Sequence, residues 1–95
     1  MYAVIGSANL DASRAEEAIE VAKSILANLS QAPGFVSGTF ARSADGTAGR
    51  SMVVFETEEA ARAVAENAPN MIPADGPTEV VSLEVFEVVD MTVAS

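Results

Sequence analysis

Apolar positions along the chain switch repeatedly between the period of a strand and the period of a helix. Tyr2 to Ile5 is a short apolar run ended by Gly6 and Ser7, and its Tyr, Val and Ile suit a pleated strand. Ser13 followed by Glu16 matches a capping box, in which each side chain satisfies a free backbone donor of the first helical turn; Asp11 is a competing cap. From there Ala15, Ala18, Ile19, Ala22, Ile25, Leu26 and Leu29 recur at three- and four-residue spacing, with Glu16, Glu17, Glu20 and Lys23 largely off that stripe. The spacing predicts a helix that Pro33 and Gly34 stop, because proline cannot donate to the helical ladder and disfavours helical geometry in the residue before it.

Phe35 to Ser43 and Arg50 to Glu56 read as paired strands, with Asp45-Gly46 as the turn signal in a loop from Ser43 to Gly49. Thr57 then offers a helix cap ahead of Glu58 and Glu59, whose charges favour the positive end of the helix dipole. Ala60, Ala61, Val64, Ala65 and Ala68 supply a second buried stripe, ended by Pro69, and Asn70 to Pro77 is a loop. Thr78 to Val89 reads as the last strand. In it Val81, Leu83 and Val85 form a wholly apolar alternate set, while Val80, Ser82, Glu84, Phe86 and Val88 are mixed. The tail Asp90 to Ser95 either extends that strand or frays.

The order strand, helix, strand, strand, helix, strand is the split pattern of an α+β, ferredoxin-like sandwich. Right-handed crossovers put both helices on one face of a four-stranded antiparallel sheet in spatial order four, one, three, two. The other face stays open, yet both alternate sets are apolar in several strands: Tyr2 and Val4 against Ala3 and Ile5, and Met52 and Val54 against Val53 and Phe55. A solvated face would show cleaner alternation, and two helices cannot cover both sides. The pattern therefore predicts a homodimer closed through the open sheet face.

Composition narrows the partners. Ninety-five residues suit one domain spanning 1–95, and a 49 % apolar fraction with only 5 % aromatics means a core built mainly from Ala, Val, Leu and Ile. A net charge of −9, from 14 acids against five bases, opposes binding to nucleic-acid phosphates and to anionic membrane surfaces. No Cys or His is present, which removes thiolate chemistry, Cys-ligated zinc, the commonest general base and the usual haem ligand. No cofactor or metal is expected, no apolar run is long enough for a signal peptide or a membrane span, and cytoplasm is the default location.

Candidate chemistry is sparse. Arg42 and Arg50 flank the central turn and could meet across the hairpin as an anion-binding fork, or pair with Asp45, Glu56 or a second subunit. Glu84 shares a predicted strand face with Val80, Phe86 and Val88, where burial would suit it to proton abstraction; an exposed position or an ion pair is the plainer use. Asn9 follows the first predicted strand and either presents its amide to a ligand or forms a turn. Asn67, Asn70 and Met71 border a loop placed to act as a lid, and helix termination accounts equally for both asparagines.

Pro33-Gly34-Phe35, the strand and Asp-Gly turn after them, and Val53-Val54-Phe55-Glu56-Thr57-Glu58-Glu59-Ala60 resemble the dimeric α/β-barrel superfamily, particularly the antibiotic biosynthesis monooxygenase-like domain. The likeness runs over nearly the whole chain in element order. It implies a dimer whose two sheets form a barrel, with a pocket in each subunit between helices and sheet. It also implies a small-molecule-binding protein similar to cofactor-independent monooxygenases, taking a small apolar, aromatic or polyketide-like substrate. The alternative is a non-catalytic dimeric module for ligand binding or assembly. Of the residues those enzymes use to hold an oxidisable phenol, Trp is absent and Tyr2 is the sole Tyr.

Overall fold

The computed structural model describes residues 1–94; Ser95 lies outside the described residues. The chain runs β1 (Tyr2–Leu10), a 3-10 turn (Ala12–Arg14), α1 (Ala15–Leu29), β2 (Phe35–Arg42), β3 (Ala48–Phe55), α2 (Glu58–Asn67), a second 3-10 turn (Ala68–Met71) and β4 (Thr78–Glu87). All strand pairs are antiparallel and the sheet order is β2-β3-β1-β4, the ferredoxin-like order expected from the sequence.

The core lies between the helices and one face of the sheet. Val4, Leu29, Val53, Phe55 and Ala61 are buried together, and the Phe35 ring meets Phe55 edge-on with centroids 6.1 Å apart. Gly34 takes φ of +81° and turns the chain from α1 into β2, while the Gly34 carbonyl accepts from Glu56 N–H at 2.8 Å.

Several boundaries differ from the sequence expectation. β1 does not end at Gly6 and Ser7 but continues to Leu10, because β3 and β4 pair with it as far as Asn9 and Leu10. Gly6 is a point of close approach in a central strand: a Cβ there would lie 2.5 Å from Ser51 Oγ and 3.0 Å from Leu83 Cδ2. The helix start also differs. Asp11 caps the 3-10 turn that precedes α1, its carboxylate accepting from Ser13 N–H at 3.0 Å and from the Ser13 hydroxyl at 2.6 Å, so its pKa falls below the usual carboxylate value. Helix α1 itself starts after Arg14 with no side-chain cap bond, and Ser13 caps neither. β4 stops at Glu87 rather than Val89, although Val88 N–H still donates to the Met1 carbonyl.

A register shift between β1 and β4 falls at Ser7/Ala8, so that Ser7 faces Ser82 while Ala8 faces Val80. The predicted Val81, Leu83, Val85 set is thereby broken: Leu83 and Val85 pack on the core, and Val81 is 61 % exposed at the shift.

At the central turn β3 begins at Ala48, two residues earlier than expected. Asp45 organises the loop by accepting from the Ser43 hydroxyl at 2.7 Å, Thr47 N–H at 3.1 Å and the Thr47 hydroxyl at 2.7 Å, with Gly46 at φ of +75°. These donors hold the Asp45 carboxyl down at about 2, from an ordinary 3.8. A depressed carboxyl stabilises the fold above its unfolded pKa and loses that contribution as pH falls through the folded value. The stability gap between the wild type and Asp45→Ala, read by urea unfolding, is therefore expected to be constant above roughly pH 5 and to close as pH falls toward 2. A gap that persists unchanged at the acid end would remove this assignment.

The α2 cap matches expectation: the Thr57 side chain accepts from Ala60 N–H at 3.1 Å. Thr57→Ala is expected to cost about 1 kcal/mol, measured as the shift in chemical denaturation; no shift would mean that Glu58 and Glu59 alone hold the helix start.

Candidate functional site

The two faces of the sheet carry different chemistry, and register decides which residue serves which. Cross-strand partners share a face, so Val4, Gly6 and Ala8 of β1 stand with Val53, Ser51 and Gly49 of β3, with Val85, Leu83 and Val80 of β4, and with Gly38, Phe40 and Arg42 of β2. This is the face under the helices. The opposite face carries Ala3, Ile5, Ser7 and Asn9 alongside Val54, Met52, Arg50 and Ala48, with Phe86, Glu84, Ser82 and Glu79 on the β4 side.

Under α1 the packing leaves a cavity of about 430 Å³, large enough for a small ring system. Its floor includes Val4, Gly6, Ser51 and Val53, and its roof is Ile19, Ala22, Ile25 and Leu26 of α1. Two features open it: Ala22 in the helix stripe is small, and Gly6 and Gly49 bring no side chain to the floor; Ile72 of the loop before β4 and Thr78 at the start of β4 close the far side. The Ser51 hydroxyl stands in the middle strand of the floor among apolar groups. Lys23 and Arg42 border the space from α1 and from the end of β2.

The sequence candidates are scattered by the register. Arg42 pairs with Gly49 and Arg50 with Ala41, which puts the two arginines on opposite faces of the hairpin, so they form no fork. Neither makes a salt bridge among the described residues, and Arg50 donates instead to the Gly49 carbonyl at 2.8 Å. Glu84 is exposed on the face away from the helices, beside Ile5 and Phe86; the register shift separates it from Val80, which lines the cavity. Asn9 lies within β1 rather than after it, and its amide donates to Glu79 Oε1 at 3.1 Å across to β4.

Near α2, the Asn67 amide donates back to the Ala63 carbonyl at 2.8 Å, which is a helix-ending role, and Met71 packs against the core. Tyr2 donates to Glu87 at 3.4 Å, and the negative charges of Glu87 and Glu58 raise its pKa. Among the described residues no group of His, Cys, Asp or Glu is arranged to hold a metal ion, and no helix is long and apolar enough to cross a membrane. Sequence reasoning missed Ser51 and Lys23 as cavity residues. The available signal was Gly6, since a glycine inside an apolar strand marks a close approach by something opposite.

The chain is thus a ferredoxin-like sandwich with a ligand-sized space between helix and sheet, and its fold is that of the antibiotic biosynthesis monooxygenases and their structural kin. A protein assigned to those monooxygenases from Deinococcus radiodurans has a TM-score of 0.78 at 12 % identity, with 100 % of this chain and 99 % of that chain covered. The heme-degrader MhuD of Mycobacterium tuberculosis, solved with two hemes in its active site, has a TM-score of 0.75 at 20 % identity, covering 98 % of this chain and 100 % of that one. SnoaB, a cofactor-independent oxygenase of Streptomyces nogalater, has a TM-score of 0.67 at 18 % identity, covering 95 % and 94 %. No family model and no curated protein matches the chain. At these identities the likeness is one of fold.

Proposed function

We propose that this protein is a homodimeric small-molecule binder whose helix-side cavity takes an apolar, aromatic or polyketide-like ligand, and that it oxidises that ligand with molecular oxygen without a cofactor. The observation that carries the binding half is the cavity of about 430 Å³ with its largely apolar roof and floor and the Ser51 hydroxyl on a central strand of the floor. A hydroxylated polycyclic ring supplies its own electrons: its phenolate carbon takes up oxygen as a hydroperoxide, and loss of water leaves a carbonyl. The protein's part in such chemistry is to bind the ring flat, exclude bulk water and stabilise the phenolate.

A second reading, binding without turnover, is favoured by the chain's lack of His and Cys and by the absence of any Asp or Glu among the cavity-lining residues described. Titration with a dihydroxynaphthalene, followed by oxygen uptake under the same conditions, separates them. Uptake with saturating binding supports the oxygenase, and binding without uptake leaves the binder alone. Ala22→Phe, which fills the roof, is expected to weaken binding by about tenfold or more; unchanged affinity would place the ligand elsewhere.

The dimer part of the proposal rests on the open face, where Met52 is 48 % and Phe86 42 % exposed around Ala3 and Val54. A cytoplasmic setting belongs to the same reading.

A further inference from the structure

We propose that the ligand is an anionic amphiphile, an apolar ring system whose carboxylate is held at the α1–β2 rim of the cavity by Lys23 and Arg42. This inference rests on the ligand-binding reading above and specifies the charge of what binds. It begins from an imbalance. The chain carries 14 acids and five bases, yet no carboxylate of the described residues lines the cavity, while Lys23 and Arg42 both do.

The other cations are committed elsewhere. Arg14 is paired with Glu17, and Arg62 donates to Glu58 at 2.7 Å along α2. Arg50 also lines the cavity, but by register its side chain belongs to the opposite face of the sheet, and it donates to the Gly49 carbonyl. Lys23 and Arg42 make no salt bridge among the described residues. In a protein whose overall field repels anions, Lys23 and Arg42 border the apolar walls of a cavity that no carboxylate of the described residues lines. Low-polarity walls there strengthen attraction for an anion over its value in open water.

The topology puts both cations on the same side of one helix–strand contact. Leu26 of α1 sits on Gly38 of β2. From that contact, Lys23 lies about one turn toward the start of α1, and Arg42 is the last residue of β2. The start of α1 follows the end of β1, and β1 runs parallel to β2 because each is antiparallel to β3. A ring lying over Gly6 would therefore place one edge near the Ser51 hydroxyl and direct an acidic substituent out along the α1–β2 seam. The guanidinium of Arg42 suits a carboxylate bidentately, and Lys23 adds a mobile charge.

The test uses two probes of the same ring, anthracenecarboxylate and the neutral anthracenemethanol, titrated by ligand fluorescence at neutral pH and low salt. The carboxylate is expected to bind about tenfold more tightly, and the preference should shrink as salt is added. Lys23→Gln with Arg42→Gln should bring the ratio of the two affinities, measured within the variant, to about one, and Arg42→Lys should retain part of the preference. Arg62→Gln, a charge change away from the cavity, should leave it intact. Equal affinity for the two probes, or a preference that survives the double variant, overturns the inference and leaves the ligand-binding reading standing. Binding of neither probe overturns both.

Discussion

Phe55→Ala is expected to bring the chain to the edge of unfolding. Phe55 is the one side chain among the described residues with no exposure and large volume; it joins β3 to both helices and carries the Phe35 ring against its edge. Truncating a buried Phe costs about 3–5 kcal/mol, through lost transfer energy and the cavity left behind. A chain of this length has about 5–14 kcal/mol in total, and each kcal/mol moves the melting temperature by about 4–8 °C. A fall of about 15 °C or more is therefore expected in thermal denaturation at fixed protein concentration. A fall of less than about 5 °C would mean that the core collapses around the loss, or that subunit association rather than this cluster sets the melting point. Phe55→Leu, which keeps most of the volume, should recover much of the difference.

The second large effect is on assembly. Met52→Glu combined with Phe86→Glu places two carboxylates on the open sheet face, in the rows that hold Ile5 and Ala3. Face-to-face closure would then bury them twice over in a symmetric dimer, at several kcal/mol per unpaired ion. Light scattering is expected to report the 9.8 kDa mass of one chain for the variant and twice that for the wild type. Because each chain carries a net charge of −9, added salt should tighten the wild-type dimer by screening mutual repulsion. A wild type that weighs as a monomer, or a variant that still pairs, would rule out the open face as the seam.

The fold was legible because its punctuation is local. Thr57, Pro33-Gly34 and Asp45-Gly46 act through backbone donors and turn angles within a few residues, and the structure uses them where the pattern places them. What depends on distant partners was not legible in the same way. Gly6 and Ser7 read as a strand end, but β3 and β4 continue pairing beyond them, and nothing in a dipeptide records its neighbours' lengths. Asp11 and Ser13 are both good caps, and Asp11 is used, but for a 3-10 turn inserted ahead of α1, where its carboxylate takes both donors of Ser13.

The site was harder still to read. Facing positions in a strand have period two, so an offset of one residue in pairing exchanges the faces. Arg42 and Arg50 look like a pair across a turn, and their one-residue offset in register separates them by the thickness of the sheet. Ser51 and Lys23 read as ordinary polar residues beside apolar ones. Their place on the cavity comes from the sheet order and the angle at which α1 crosses it, which no local window contains.

The register shift in β4 has one more consequence, for parity. Glu79 and Glu84 stand at an odd offset in sequence, and on an uninterrupted strand such a pair would project to opposite sides. With the shift at Val81 between them, both project to the side away from the cavity, Glu79 opposite Asn9 and Glu84 opposite Ile5. One supernumerary residue thus sorts the strand's charges. Its deletion would leave the composition almost untouched and yet turn one of those carboxylates inward, into a space that no carboxylate lines.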